Sequence, residues 1–181
     1  MAVKTLLTEK DINIILNRLA CQLIENHTNF KNTVIIGLQP RGVYLADRLI
    51  HILKTDYKIK NLIYGQLDIT FYRDDFRRRD APIQANKTHI DFIVENKHVV
   101  IVDDVLFSGR SINAALTALQ AFGRPTSVEL MVLIDRRFSR HLPIQPNYKG
   151  RQVDVINSER VLVQWREKDK KDGVIIMNNS D

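Results

Sequence analysis

The sequence predicts an α/β fold: a mostly parallel central sheet flanked by helices, with a flexible lid loop and a small cap, or hood. Short β-branched runs alternate with amphipathic helical patterns, as in chains of strand–helix–strand units. Residues 99–102 form an apolar run typical of a strand covered on both faces. The 181 residues, 44% of them hydrophobic, suffice for one core. We therefore expect one domain over 1–181, with the core over about 1–135, the lid over about 73–89 and the hood over about 136–181.

The predicted elements follow in order along the chain. Thr8 and Asp11 have capping-box spacing, and apolar residues at helical spacing after them predict an opening helix. The periodicities then predict a strand over 33–37, a helix over 43–53, a strand over 63–72, a strand over 99–102, a helix over 112–122, a strand over 127–134 and short hood strands over 161–165 and 174–177. The charged stretch 135–160 is expected to be irregular.

Composition excludes some classes of protein. The chain has no long apolar run and no signal-peptide core, so we expect a cytoplasmic protein with no membrane partner. The single cysteine, Cys21, cannot form an internal disulfide, and the five histidines lack metal-ligand spacing. A net charge of +6 favours anionic partners, either phosphorylated substrates or nucleic acid.

The most informative segment is residues 99–111. The apolar run leads into Asp103 and Asp104, and the turn Ser108-Gly109-Arg110-Ser111 opens the next helix. Ligands of open α/β sheets bind at the carboxyl ends of the strands, and the N–H groups at a helix N-terminus favour an anion. Carboxylates can accept hydrogen bonds from vicinal hydroxyls or lie near a magnesium ion. The order of these parts indicates a sugar-phosphate site.

This segment resembles the phosphoribosyl pyrophosphate (PRPP) signature of the type I phosphoribosyltransferases. The resemblance implies that Asp103 and Asp104 hold the ribose hydroxyls, directly or through Mg2+. It also implies that Val105 and Leu106 take part in binding PRPP or the nucleotide. The residues that it assigns to the 5-phosphate are Phe107, Ser108, Gly109, Arg110 and Ser111.

A second phosphate site is indicated at the end of the strand over 33–37. Gln39-Pro40-Arg41-Gly42 combines a glycine, an arginine and the start of a helix. Taken alone, the segment equally fits a plain turn with a solvated arginine. The family resemblance implies that Arg41 binds pyrophosphate, and that Gln39–Pro40 forms a cis peptide bond, since proline lowers the cost of that geometry.

The predicted lid carries a run of charge. Arg73 and the three arginines at 77–79 precede a polar stretch without period. A charge run of this kind is often only a solvated face. The resemblance implies instead a loop that closes over PRPP, excludes water and brings cations to the departing pyrophosphate.

Five segments, one of them part of the PRPP signature, narrow the resemblance to one branch of the family. Residues 67–75, 103–111, 123–127, 132–136 and 142–144 are similar to the branch of the family that transfers uracil and regulates pyrimidine genes. The resemblance implies conversion of uracil and PRPP to UMP and diphosphate with Mg2+. It further implies an mRNA leader hairpin as a partner in many members, and a homodimer or homotetramer.

One position argues against a purine substrate. Hypoxanthine and adenine enzymes usually carry an acid just before the Ser/Thr-Gly pair, where this chain has Phe107, which can neither accept nor deliver a proton. We expect the phenyl ring to pack beneath the nucleotide. By position, Leu133, Ile134, Asp135 and Arg136 are the candidates for reading the base.

The sequence leaves RNA binding open. Arg18, Arg140 and Arg151 are candidate RNA contacts, and basic side chains can neutralise RNA phosphates. Positions that are commonly polar or basic in the resembled branch are here Asn17, Cys21, Asn26 and Gln145, so a merely solvated basic surface is an equal alternative. Three hypotheses remain: an enzyme that makes UMP, an RNA-binding attenuator that uses the nucleotide site only as a sensor, and a phosphoribosyltransferase for another nucleobase.

Overall fold

Aliphatic and β-branched runs form the strands of a central sheet. The computed structural model describes residues 3–74, 85–155 and 159–178. The central strands are β2 (Thr33–Leu38), β3 (Ile63–Leu67), β4 (His98–Leu106), β5 (Ser127–Arg137) and β6 (Tyr148–Asp154). They pair in parallel in the order β3-β2-β4-β5-β6. The predicted parallel α/β sheet is confirmed.

Helices cover both faces of this sheet. They are α1 (Glu9–His27), α2 (Gly42–Thr55) and α3 (Arg110–Leu119). A further short helix is α4 (Arg166–Asp169). Successive side chains of a strand point to opposite faces. Accordingly Val100 and Val102 pack with α1 and α2, whereas Val99 and Ile101 pack with α3. The strand that carries the acids is therefore buried on both sides, as its composition predicts.

Helix α1 begins with the predicted capping box. The Thr8 hydroxyl accepts a hydrogen bond from the Asp11 backbone N–H at 3.3 Å, and the Thr8 N–H donates to the Asp11 carboxylate at 2.8 Å. This reciprocal pair satisfies two N–H groups that the helix cannot pair internally.

The hood is a separate three-stranded sheet. Its strands β1 (Val3–Leu7), β8 (Gly173–Asn178) and β7 (Glu159–Gln164) pair antiparallel in the order β1-β8-β7. We use the name hood for these strands and α4. The two predicted hood strands are confirmed. Strand β1 was not predicted, because its five residues show no alternation and it becomes a strand through pairing with the distant β8.

Two other predictions need correction. The strand expected over 63–72 ends at Leu67, and a 3-10 turn over Thr70–Tyr72 follows it. The stretch 135–160, expected to be irregular, contains the C-terminal end of β5 and all of β6, which lies at the sheet edge. Only Tyr148 and Val153 of β6 are buried, so its hydrophobic pattern is weak. Among the residues that the structure describes, no helix combines the length and hydropathy needed to cross a bilayer.

Candidate active site

The two acids lie within β4 rather than after it. The strand continues through Asp103 and Asp104 to Leu106, and the Asp104 N–H donates to the Asp103 carboxylate at 2.9 Å. Burial, followed by the neighbouring charge of Asp104, raises the pKa of Asp103 well above its usual range. Burial also raises the pKa of Asp104, although the charge of Arg41 acts in the opposite direction. Because the pair is costly to ionise while empty, a cation or hydroxyl donors would stabilise its charged form.

The turn after β4 has the backbone of an anion site. Gly109 has φ of +90°, a left-handed conformation that glycine adopts without steric cost, and α3 begins at the next residue. The Ser108 carbonyl accepts a hydrogen bond from the His141 N–H at 3.0 Å, which ties the turn to the segment after β5. The N–H groups of the first turn of α3 therefore have a fixed direction, as phosphate binding requires.

Val105 and Leu106 contribute to this turn through their backbone. The Leu106 side chain is 1% exposed in the core beside α3, and Val105 packs partly buried against the core on the opposite face. The buried Leu106 side chain leaves only its backbone for contact with PRPP, and the binding roles of both residues stay predictions. The burial of Leu106 follows from β4 continuing as a strand past the acids.

The loop after β2 brings the second predicted phosphate site beside the first. The Gln39–Pro40 bond is cis, as predicted. The Gln39 side-chain amide donates to the Lys87 carbonyl at 2.9 Å, so this loop contacts the C-terminal part of the predicted lid. A Cβ atom on Gly42 would lie 2.5 Å from the Val102 carbonyl oxygen and 2.9 Å from Asp103 Cα. The glycine therefore permits α2 to begin directly against the strand that carries the acids.

Arg41 links this loop to the acids and to the hood. Its Nε donates to the Asp104 carboxylate at 3.2 Å. Its Nη2 donates to the Val163 carbonyl and, at 3.2 Å, to the Asp169 carboxylate. The sequence placed Arg41 at a phosphate site but gave no sign of its two hood partners, which are more than 120 residues away in the chain.

The first residues of the predicted lid contact the turn over 107–111, which we call the phosphate turn after its predicted ligand. Arg73 Nη1 donates to the Ser111 hydroxyl at 3.2 Å, and its charge also acts to lower the pKa of Asp103. Arg110 Nε donates to the Asp74 carboxylate at 2.7 Å. The arginines at 77–79 lie outside the described residues. Arg73 is therefore the predicted lid arginine for which the structure gives a location, between the acids and α3.

Asp68 is a residue that sequence reasoning missed. Its buried carboxylate accepts hydrogen bonds from the Thr70 N–H at 2.9 Å and from the Asn86 N–H at 2.6 Å. The Asp68 backbone N–H donates to the Thr88 hydroxyl oxygen at 3.1 Å. It thus joins the two ends of the segment that contains the lid. The Asp-x-Thr spacing, typical of an Asx turn, is the signal that could have found it.

The predicted base-reading residues divide into two groups. The side chains of Leu133 and Ile134 are fully buried in the core, which leaves only their backbone for contact with a base, and their role stays a prediction. Arg136 lies with its guanidinium carbon 4.1 Å from the centroid of the Phe107 ring, which is 42% exposed. Asp135 is buried and forms an ion pair with Arg140. Phe107 and Arg136 remain as candidates for base contact.

Arg140 does not lie on the predicted RNA surface. Its guanidinium pairs with Asp135 and donates to four backbone carbonyls on both sides of the phosphate turn: those of Leu106, Phe107, Arg136 and Ile144. Its donors are thereby used within the protein. We correct its role to that of holding the turn, which depends on contacts that the sequence does not reveal.

Arg18 and Arg151 do share a surface. Arg18 Nη2 donates to the Gly150 carbonyl at 2.6 Å, and Arg151 Nη1 donates to the Leu6 carbonyl at 3.0 Å. Both residues are exposed, where α1 packs on β6. They therefore form a basic pair on the face of α1 and β6.

The two acids have the chemistry of a partial set of magnesium ligands. Mg2+ prefers oxygen ligands and is usually held by one or two carboxylates, with substrate phosphates and water completing its shell. Asp103 and Asp104 fit that pattern. No cluster of three or more histidine, cysteine or acidic side chains that could hold a metal occurs in residues 3–74, 85–155 and 159–178. These residues therefore fit a metal that arrives with its substrate.

Comparison with known proteins defines the class. Residues 2–166 match the family described as the phosphoribosyl transferase domain. The hypoxanthine phosphoribosyltransferase of Staphylococcus aureus superposes with a TM-score of 0.71 at 23% identity, covering 97% of this chain and 92% of that chain. The corresponding enzyme of Trypanosoma cruzi gives 0.73 at 17% identity, covering 97% and 96%. The fold and the matched domain are those of a type I phosphoribosyltransferase.

Similarity in sequence is closer to one group within this class. The bifunctional protein PyrR of Desulfosudis oleivorans is 44% identical over 165 residues, 91% of each chain. That of Chloroflexus aurantiacus is 40% identical over 177 residues, 98% of this chain and 96% of the relative. The chain belongs to the PyrR family of phosphoribosyltransferases.

Proposed function

We propose that this phosphoribosyltransferase converts uracil and PRPP to UMP and diphosphate. The observation that carries the proposal is the convergence of three parts at one edge of the sheet. The acids of β4, the turn over 107–111 and the loop with Arg41 are joined by the contact of Gly42 with β4 and by the Arg41–Asp104 ion pair. We propose that these three parts bind the hydroxyls, the 5-phosphate and the diphosphate of one PRPP molecule.

Each part has a proposed role. Asp103 and Asp104 accept hydrogen bonds from the ribose hydroxyls, and the residues from Phe107 to Ser111 bind the 5-phosphate through backbone N–H groups and the two serine hydroxyls. Arg41, with Gln39, Pro40 and Gly42 around it, binds the diphosphate. Arg73 adds positive charge beside the acids. Asp103 and Asp104 would hold Mg2+ together with PRPP, and the ion would supply positive charge to the diphosphate and the hydroxyls.

The reaction is a substitution at the ribose C1. Uracil N1 forms a bond to C1 as the bond from C1 to the diphosphate oxygen breaks, and the proton of N1 is released. Positive charge develops on the ribose ring and negative charge on the diphosphate. Arg41 stabilises the latter charge, and the buried carboxylates are near the former. We assign no general base, because donors around the base can stabilise the pyrimidine anion.

Phe107 and Arg136 support a pyrimidine substrate. The exposed phenyl ring, at the position where purine enzymes usually carry an acid, offers a surface on which a base can stack. Arg136 is a hydrogen-bond donor next to that ring. We propose that uracil is read here, with the backbone of the end of β5 as a further contact.

A second role is proposed from the basic pair on the face of α1 and β6. Exposed Arg18 and Arg151 can neutralise phosphates of an RNA hairpin, and the relatives are named as bifunctional proteins. We propose that an mRNA leader hairpin binds this face in a homodimer or homotetramer. The alternative is an attenuator that keeps the nucleotide site only as a sensor.

The first experiment supplies purified protein with PRPP, Mg2+ and either uracil, hypoxanthine or orotate, and separates the products by chromatography. We expect UMP with uracil and little reaction with the other bases. Turnover with hypoxanthine or orotate instead would contradict the uracil assignment. Absence of turnover in folded protein that still binds UMP would favour the sensor.

The RNA role is tested with the double variant Arg18→Gln, Arg151→Gln. We expect weaker binding of leader RNA and a smaller dependence of affinity on salt, since fewer phosphates are neutralised. Turnover of uracil should not change, because both residues lie away from the acids. Equal RNA affinity and equal salt dependence in the variant and the wild type would exclude the face of α1 and β6 as the RNA-binding surface.

A further inference from the structure

The guanidinium of Arg41 is held by three acceptors on two parts of the molecule. Nε donates to Asp104 on β4, and Nη2 donates to the Val163 carbonyl and to Asp169 in the hood. These bonds use three of the five N–H groups of an arginine. No described residue accepts a hydrogen bond from Nη1, so that amino group keeps two donors for a ligand.

Asp169 is itself fixed in place. The same oxygen that accepts from Arg41 accepts from the Trp165 N–H at 2.9 Å, and Trp165 is fully buried. The hydrogen bond from the Trp165 N–H is the main cause of the lowered pKa of Asp169. Burial acts to raise this pKa, and the hydrogen bond and charge of Arg41 lower it further. The carboxylate therefore stays charged at neutral pH and presents a rigid acceptor to Arg41.

Arg48, which lies within α2, anchors the same hood turn. Arg48 lies 4.7 Å from the centroid of the Trp165 ring and donates to the Asp172 carboxylate at 2.8 Å. The turn from Trp165 to Asp172 thus contacts α2 at two separate points. Asp169 contacts Arg41 at the N-terminal end of α2, whereas Asp172 contacts Arg48, two turns further along the helix. This separation allows the two acids to be tested against each other.

We propose that Asp169 is a positioning residue for diphosphate binding: it holds the Arg41 guanidinium so that Nη1 is the donor offered to the diphosphate group of PRPP. The inference rests on the proposed binding of PRPP at this site. A guanidinium whose orientation is already fixed loses less conformational freedom when its ligand binds. Asp169 thereby acts through Arg41 without touching the substrate.

The test compares Asp169→Asn with Asp172→Asn. Asparagine keeps the size of the side chain and removes its charge. In Asp169→Asn we expect the KM for PRPP and the Kd for inorganic diphosphate to rise about fivefold, as for loss of a partly exposed ion pair. The kcat and the KM for uracil should change less than about twofold, because binding and not the chemical step is affected. In Asp172→Asn, PRPP and diphosphate binding should stay near wild type.

A double-mutant cycle supplies the second readout. Arg41→Lys keeps the charge but loses the planar fork, so we expect weaker diphosphate binding. In that background Asp169→Asn should add little, since the group that it positions is gone. Full additivity of the two changes would overturn the proposal, and so would an equal loss of diphosphate affinity in Asp172→Asn, which would indicate a general loosening of the hood.

Calorimetry with inorganic diphosphate separates this inference from the proposed reaction, because it needs no base. Weakened diphosphate binding in Asp169→Asn, in a protein that does not use uracil, would contradict the uracil reaction and support the positioning role. If the wild-type protein uses uracil and Asp169→Asn leaves the diphosphate affinity unchanged, the uracil reaction is supported and the positioning role of Asp169 is contradicted. A wild-type protein that binds neither PRPP nor diphosphate would overturn both.

Discussion

The Arg136 guanidinium stacks on the Phe107 ring at 4.1 Å, and the two residues differ sharply in exposure. Arg136 is 5% exposed, whereas Phe107 is 42% exposed. Arg136 also donates to the Glu159 carbonyl at 3.2 Å, so the stack connects the phosphate turn with the hood. One face of the ring is thus occupied by a cation from within the protein, and the exposed part of the ring is available to a ligand.

Removing the ring is expected to weaken base binding selectively. Phe107→Ala removes the stacking surface while leaving the backbone of the phosphate turn, so the KM for uracil should rise about tenfold, since one stacked ring contributes roughly 1 kcal/mol or more. Steady-state kinetics with varied uracil at saturating PRPP measures this. Phe107→Tyr keeps the ring and should stay within about twofold of wild type. An unchanged KM for uracil in Phe107→Ala would exclude the stacking role.

Gly42 is expected to tolerate no side chain. An added Cβ would meet the Val102 carbonyl at 2.5 Å, and neither backbone segment can move without disturbing the sheet or α2. Gly42→Ala should lower the free energy of unfolding by about 2 kcal/mol, in the range for overpacked sites, and reduce turnover. Urea denaturation measures the change. Gly173→Ala is the matched control, because its nearest contact would be at 3.5 Å, and equal stability of the two variants would contradict the prediction.

Arg140 is expected to stabilise the protein and the phosphate turn. Arg140→Gln removes the ion-pair partner of Asp135, which is 5% exposed, and an unpaired buried charge costs about 3 kcal/mol or more. We expect a loss of that order in chemical denaturation and a higher KM for PRPP. Adding Asp135→Asn should restore part of the stability, since it removes the unpaired charge. If Arg140→Gln instead weakens only RNA binding, Arg140 is an RNA contact, as the sequence predicted, and does not hold the phosphate turn.

Asp172 is expected to make stability depend on acid pH. Burial acts to raise its pKa, but hydrogen bonds from Arg48 and from the Arg166 N–H outweigh burial, and the net pKa lies below the ordinary value of 3.8. A lowered folded-state pKa stabilises the fold above the unfolded value, and the contribution disappears as pH falls through the folded value. Asp172→Asn should therefore lower the Tm at pH 7, and the difference from wild type should shrink below pH ~4.

Thermal unfolding from pH 7 to pH 3 measures this difference. Glu167→Gln is the control, because Glu167 also pairs with Arg48 but its side chain is 46% exposed, so only a small effect is expected at any pH. A difference between Asp172→Asn and wild type that is constant over the whole pH range would show that charge is not the source of the stability.

Local sequence was sufficient to predict those parts of the candidate site that consist of consecutive residues. The buried strand, the acids and the glycine turn before α3 occupy adjacent positions, so periodicity and backbone preference identify them directly. The capping box of α1 was predicted for the same reason, whereas the cis Gln39–Pro40 bond was implied by the family resemblance together with the low cost of a cis bond before proline. Strand β6 was missed because it lies at a sheet edge and buries few residues, which leaves a weak hydrophobic pattern.

The sequence by itself determined the class of fold and singled out the candidate residues for sugar-phosphate binding, because both follow from neighbouring side chains and their spacing. Only the tertiary structure decided what those residues contact. It buried Leu133 and Ile134 in the core, placed Arg140 among the carbonyls of the phosphate turn, and joined Arg41 to Asp169. Such partners lie on different elements, and their meeting depends on how the sheet, helices and hood pack together, which no local pattern encodes.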